Sequence, residues 1–528
     1  MLVENSETPS LADAQSAVSI AQGVVDQAIA TAKSIGPAVH EDQVLLYDLS
    51  HAAAGVSMCT TALRYGEHGE TELHLANIFI GRVITDLAAK LWANHERWGV
   101  APDAMSPAQA FASVASSGSY IGAAAHMEPS QHLDGDMELV AETFHRFGVD
   151  KIAPQAEHIH RHDADIPLDI IEGVAELGCF GLSIPEEYGG FAQGTEDDYL
   201  AMVIATEELS QASLGAGGSL ITRPEILARA IEGGGTDEQK QHWLPRIASG
   251  ETLCAVAVTE PDYGSDVAGL KVTAAPIDDG YLLNGTKTWC TFAGRATALM
   301  VLARTNPDPS AGHRGLSILI VEKPTDDGHE FCHEADGGTL EGRAIPTLGY
   351  RGMHSFEVTF TDWFVPAANL IGEEAGLGRG FYLQMAGFEN GRLQTAARSV
   401  GVMQRAYALA RDYAADRAVF GVSLSNYQLT QVKLGTMAAL IHISRQYTYE
   451  VARAMASGDG GAKAAMAKAF VCKAAEWVTR ESLQIHGGYG YAEEYEVSRL
   501  FVDARVLSIF EGADETLCLK LIARRLLA

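Results

Sequence analysis

A change of period constrains this chain more than any other feature. Before residue 252, and again after Gly376-Leu377-Gly378, apolar residues return at helical spacing. Residues 252–372 instead break into short β-branched runs at 255–259, 269–273, 281–291, 299–303 and 316–321, parted by turns such as Asp278-Asp279-Gly280. Runs of that length bounded by Gly and Asp read as strands. Gathered in one block with helices before and after, they are expected to form an antiparallel β domain. The fold class that follows is α+β, mostly α: helical extension (1–136), helical domain (137–251), β domain (252–372) and C-terminal helical bundle (373–528).

The flanks carry their own signals. Ser10 and Asp13 form a capping-box pattern, and Val18, Ala21, Val25, Ala28 and Ala32 hold one apolar face until Gly36-Pro37. Longer amphipathic stretches follow at 41–66 and 69–98. Residues 113–136 turn small and polar and are expected to be a linker closing a separate extension. Near the C-terminus Leu429, Val432, Met437, Leu440 and Ile443 are expected on one helical face. Glycines 487, 488 and 490 break the next helix.

The 68 acidic against 38 basic residues give a formal charge of −30, which argues against nucleic acid and anionic lipid as partners. No run is apolar enough for a transmembrane helix. Met1–Glu7 reads as neither a secretory signal nor a transit peptide. Seven scattered cysteines suit reduced thiols and a cytoplasmic setting, with no disulfide framework or zinc spacing. His158, His160 and His162 are expected at a solvated helix end, because alternate spacing spreads them around a helix, and no metal site is expected. Gly215-Ala216-Gly217-Gly218 lacks the preceding strand of a dinucleotide fingerprint.

Three segments carry chemistry. Ile509-Phe510-Glu511-Gly512-Ala513-Asp514 puts a carboxylate on a glycine-hinged loop between apolar helical stretches, where dry surroundings favour a general base. Thr259-Glu260-Pro261-Asp262-Tyr263-Gly264-Ser265 ends a strand in a turn that presents hydroxyls and amides. In Asn284-Gly285-Thr286-Lys287-Thr288-Trp289-Cys290-Thr291, a period of two puts Lys287, Trp289 and Thr291 on one face, where an indole beside a hydroxyl suits a planar cofactor. Taken singly, an acidic helix cap, an ordinary turn and a core tryptophan are the commoner meanings.

Together, in this order, the segments resemble the acyl-CoA dehydrogenase family over residues 137–528. The resemblance implies FAD as cofactor, an acyl-CoA substrate, an electron-transfer flavoprotein as electron acceptor, and a homo-oligomer, dimer or tetramer. It implies that Thr259 bonds the pyrimidine side of the flavin and that Ser265 lies near a phosphate or the thioester tail. Trp289 would cover one flavin face, with Thr291 at the nitrogen that accepts hydride. Arg417, Phe420, Gln428, Gln484 and Gly488 match contacts made to the cofactor of a neighbouring subunit. Glu511 matches the catalytic base, and its backbone amide the donor to the thioester oxygen. Some relatives put the base instead before the arginine matched by Arg392, and Gly391 stands there, which strengthens Glu511. Arg392 and Gly512 match substrate-side positions.

The chain also departs from the family pattern, which puts a hydroxyl at Phe510 and a phosphate or ribose contact at Ala513 in doubt. Phe510 stands for a common tyrosine, Ala513 for a threonine and Cys290 for an isoleucine, while residues 325–345 and the helical extension exceed the family pattern. The extension, the 325–345 loop and Thr288-Trp289-Cys290-Thr291-Phe292-Ala293-Gly294-Arg295 together resemble members of the family that act on a short branched or dicarboxylic thioester. That resemblance implies a cation for the free carboxylate, with Arg223 and Arg398 as candidates. Another short-chain dehydrogenase, an oxidase of the same fold and a catalytically silent flavin- or thioester-binding protein stay open, as does a partner-binding role for residues 1–112.

Overall fold

A computed structural model describes residues 8–458 and 460–528; the N-terminal segment read above as neither signal nor transit peptide lies outside the described residues. Helices open the chain: α1 (Leu11–Ile35), α2 (Gln43–Gly66), α3 (Glu70–Trp98), α4 (Gln109–Ala115) and α5 (Gly118–Ala123). Next come α6 (Gly135–Phe147), α7 (Ala153–His162), α8 (Leu168–Glu176), α9 (Glu196–Ala212), α10 (Thr222–Gly234) and α11 (Asp237–Ala248). The strands are β1 (Cys254–Ala257), β2 (Thr273–Ile277), β3 (Gly280–Thr291), β4 (Ala298–Arg304), β5 (Leu316–Glu322), β6 (Glu330–Ala335), β7 (Gly338–Ala344) and β8 (Ser355–Pro366). Then follow α12 (Glu373–Gly376), α13 (Gly380–Asp416), the hairpin β9 (Ala418–Val419) and β10 (Val422–Ser423), and α14 (Gln428–Ala456). The chain finishes with α15 (Gly460–His486), α16 (Glu496–Leu507), α17 (Asp514–Thr516) and α18 (Ala523–Leu527). Among the described residues no helix is long and apolar enough to cross a membrane. All seven cysteines are free.

The chain divides into two compact units, residues 137–394 and residues 1–136 with 395–528. In the first unit the sheet runs β1-β4-β2-β3-β8-β7-β6, with β5 also on β4. The expected antiparallel domain is thus mixed at one edge, because β1 pairs with β4 in parallel. Its core joins Leu283, Leu299, Val301, Phe356, Val358 and Phe360. The run 269–273 is not a strand until Thr273. Leu270 and Val272 are buried there, but the Lys271 and Val272 amides donate to the Glu260 carboxylate (2.7 and 2.8 Å), which replaces a neighbouring strand. Residues 325–345, expected as a loop, hold the hairpin β6–β7. Its turn, Asp336-Gly337, has φ of 53° and 84°, the left-handed pair that a tight hairpin needs. His160, expected in solvent, is buried, and its carbonyl accepts Arg351 Nη1 at 2.9 Å; His158 and His162 are exposed.

In the second unit Ser10 and Asp13 form the expected capping box on α1. The small residues of 113–126 are contacts, not slack: α5 packs against α14, and a Cβ on Gly435 would stand 2.0 Å from the Ile121 carbonyl oxygen. Residues 118–126 are therefore a packed element where a linker was expected. On α14, Met437, Leu440 and Ile443 are buried, whereas Leu429, expected with them, is 78% exposed.

Candidate active site

In the unit of residues 137–394, β3 carries the expected platform, but not by simple alternation. A register irregularity between Lys287 and Cys290 in the β3–β8 ladder puts Trp289 at φ 59°, strained for a bulky residue. Lys287 and Trp289 therefore do not share a face: Lys287 is fully buried and Trp289 is 53% exposed. Cys290 is buried. Thr291 is buried, its hydroxyl 2.9 Å from that of Ser355. The Thr288 amide donates to the Thr259 carbonyl at 2.8 Å, which brings the turn after β1 against the strand of Trp289. Ser265, in that turn, is exposed.

Two residues missed at the sequence level brace this region. The Lys287 ammonium donates to Glu260 (2.9 Å) and to the Val258 carbonyl (2.9 Å). Burial pulls the Lys287 pKa down, and Glu260 works against that pull. Only their spacing around the Thr259 turn and the Trp289 strand could have signalled the pair. In the same unit Arg223 on α10 is 5% exposed, and its Nη1 has no hydrogen-bond partner among the described residues. Arg392 on α13 is buried too.

In the unit of residues 1–136 and 395–528, Glu511 sits between α16 and α17 with φ 54°, followed by Gly512 at φ 97°. Its Oε2 is buried and has no hydrogen-bond partner among the described residues. A carboxylate oxygen left bare in that way is costly unless a ligand or proton completes it. Lys468, almost fully buried on α15, donates to the Gly512 carbonyl at 2.8 Å. Arg398 is wholly buried, donates to Thr395 Oγ1 at 2.7 Å, and lies over the Phe510 ring at 4.8 Å.

Arg417 and Gly488 line one cleft of about 490 Å³ with Tyr413, His486 and Tyr489. Gln484 is exposed one turn before Gly487, whose amide donates to its carbonyl at 3.1 Å. Phe420, at φ 53°, is 95% exposed, and Gln428 is exposed at the start of α14. Each unit thus gathers its own share of the expected residues.

These surfaces fit a large planar dinucleotide. A half-exposed indole on a strained bulge offers a stacking face, Arg417 brings positive charge into a cleft, and a Cβ at Gly488 would meet nothing within 4 Å. Models of the acyl-CoA dehydrogenase N-terminal, middle and C-terminal domains match residues 135–251, 255–363 and 378–527. The chain belongs to the acyl-CoA dehydrogenase family, FAD-dependent oxidoreductases that act on CH–CH bonds of acyl-CoA thioesters.

Among particular relatives, it is 42% identical over 397 residues to (2S)-methylsuccinyl-CoA dehydrogenase of Cereibacter sphaeroides, covering 75% of this chain and 70% of that protein. The butyryl-CoA dehydrogenase of Megasphaera elsdenii superposes with a TM-score of 0.68 at 31% identity, covering 76% of this chain and all of that one. A glutaryl-CoA dehydrogenase in complex with glutaryl-CoA gives a TM-score of 0.67 at 30% identity, covering 75% and 96%. The helical extension precedes all three family domains.

Proposed function

We propose that this dehydrogenase oxidises a short branched dicarboxylic thioester, (2S)-methylsuccinyl-CoA, to mesaconyl-CoA, with Glu511 as the base. The observation that carries the base is the buried Oε2 of Glu511, without a hydrogen-bond partner among the described residues, on a loop with left-handed backbone. Glu511 takes the α-proton, and its backbone N–H donates to the thioester oxygen as negative charge builds there. FAD, when bound, supplies the acceptor for the hydride that leaves the β-carbon. Thr259, Ser265, Trp289 and Thr291 are proposed to hold that cofactor, and Lys287 with Glu260 to keep their two segments in register.

Arg223 is the cation we propose for the free carboxylate of the substrate. Its buried Nη1 has no hydrogen-bond partner among the described residues, and an arginine fork suits a carboxylate. Arg392 supports the substrate side, and Gly512, at φ 97°, lets the loop of Glu511 turn. Arg398 is engaged with Thr395 and Phe510 and is assigned to hold the Glu511 loop. The 42% identity to the methylsuccinyl-CoA enzyme supports the same substrate. We further propose a homo-oligomer in which Arg417, Phe420, Gln428, Gln484 and Gly488 serve a neighbouring subunit's cofactor, consistent with the bare Phe420 ring. Electrons then pass to an electron-transfer flavoprotein.

The test is anaerobic titration of the purified yellow protein with butyryl-, isovaleryl-, glutaryl- and (2S)-methylsuccinyl-CoA, followed by flavin absorbance. Methylsuccinyl-CoA should bleach the flavin fastest, and Glu511→Gln should bind FAD and ligand but lose most of the bleaching. Near-normal reduction in that variant would remove Glu511 from its role, and a faster monocarboxylic substrate would remove the dicarboxylic one.

A further inference from the structure

The helical extension reaches the segment that carries the base. Asp514, three residues after Glu511, is buried, and its Oδ2 accepts from the Tyr47 hydroxyl at 2.5 Å and from the Lys473 ammonium at 3.0 Å. His51 Nε2 stands 3.1 Å from the same oxygen and 3.1 Å from Lys473 Nζ. Protonated, that nitrogen donates to the carboxylate; unprotonated, it accepts from the ammonium, so His51 is held in either state. Tyr47 and His51 are one helical turn apart on α2 and face the same side. Between them Ser50 donates to the Cys518 carbonyl at 3.0 Å.

From α15, Lys468 holds the Gly512 carbonyl and Glu476 accepts from Ser508. The loop from Ser508 to Asp514 is thus fastened near both ends and beside Glu511 itself. Left-handed backbone at a non-glycine residue persists only where its surroundings over-determine it. Glu511 is such a residue, at φ 54°.

We propose that Tyr47 and His51 of the helical extension are positioning residues for Glu511, acting through Asp514 to hold the base in its reactive conformation. The extension then completes the catalytic loop of its own chain. Ligand atoms of His51, Asp514 and Cys518 also lie within 4.8 Å of one another, as in a metal site. The Lys473 ammonium already occupies the cation's place there.

The inference rests on the acyl-CoA reading, and the experiment separates the two. Full-length, FAD-loaded wild type, Tyr47→Phe and Tyr47→Phe/His51→Leu are mixed anaerobically with saturating (2S)-methylsuccinyl-CoA. Flavin reduction is recorded per bound flavin, with substrate affinity and thermal midpoint measured alongside. Asp48→Ala, on the same helix as Tyr47 and His51, breaks the Asp48–Lys90 ion pair from α2 to α3 (3.1 Å) without touching Asp514 and is the control.

The double variant should reduce its flavin at least tenfold more slowly and the single variant about threefold, with affinity and FAD content unchanged. Asp48→Ala should match wild type. Reduction within twofold of wild type in the double variant overturns the proposal. So does an equal slowing in Asp48→Ala, which would mark a loss of general stability. Should the double variant lose its flavin, Tyr47→Phe alone decides, since it deletes one hydroxyl. A wild-type flavin that no CoA ester reduces would instead sink the proposed function.

Discussion

At the scale of single residues, hydrogen bonding separates the buried side chains that hold the site from those left for ligands. Lys287 and Glu260 are a buried pair with three further hydrogen bonds, two to backbone amides and one to a carbonyl. Removing one partner strands the other charge. Lys287→Met is therefore expected to cost about 3–5 kcal/mol in guanidinium unfolding. Lys287→Met/Glu260→Gln should cost less than the two single changes summed, and strict additivity would show that the charges do not interact. Arg223 stands on the other side of the division, with a buried nitrogen that has no hydrogen-bond partner among the described residues. Arg223→Gln should lower kcat/KM for methylsuccinyl-CoA at least tenfold more than for butyryl-CoA. Arg398→Ala, which removes a contact to Phe510, should slow both alike. The reverse pattern would exchange their roles.

At the scale of elements, the sequence was legible wherever a local pattern and its burial agreed. The capped α1 and the apolar faces of α2 and α3 lie where their spacing put them. Glu511 on its glycine hinge could be picked out because the hinge is local. Its supports could not: Lys468 lies 44 residues from Gly512, and Tyr47 lies 467 from Asp514. Other departures share a physical cause, tertiary contacts that replace local ones. Leu270 and Val272 look like strand because they are buried, yet a carboxylate takes their neighbours' place. The β6–β7 hairpin was hidden by polar residues, although its Asp-Gly turn was a readable signal. Trp289 defeats alternation because the strand bulges beneath it. Residues 118–126 looked slack because their contacts need small residues. Gly435→Ala tests this last point: its Cβ would overlap the Ile121 carbonyl, so about 1–3 kcal/mol of stability should be lost. Hydrogen exchange should quicken over 118–126 and stay unchanged in the β-sheet; unchanged exchange in α5 would return the segment to linker.

At the scale of the whole molecule, the charge of −30 and the paired carboxylates pull the pH dependence of stability in opposite directions. For Asp514, Asp165, Asp326 and Glu72, burial alone would raise the pKa. Hydrogen-bonded partners, led by His51, His354, Lys323 and His132 respectively, hold all four below the ordinary carboxylate range. A depressed carboxylate binds its proton more readily unfolded than folded. Its contribution is complete above the unfolded value, roughly 4, and is lost as pH falls through the folded one. His145, raised by its bond to Glu208, acts in the opposite sense: its contribution is complete below roughly 6.5 and fades as pH climbs through the raised value. Self-repulsion among the excess acids also grows with pH above the isoelectric point of 4.9. Stability should therefore peak slightly above that point, soften toward pH 8, and fall steeply below about pH 4. Added salt should raise the thermal midpoint at pH 8 and change it little at pH 5, because only the first condition holds much repulsion to screen. Asp514→Asn should be clearly less stable than wild type at pH 7, with the gap kept down to about pH 5 and narrowing as both are taken below about pH 4. A gap that stayed constant with pH would mean that Asp514 contributes by shape, and that its charge does not bind α2 to the loop of Glu511.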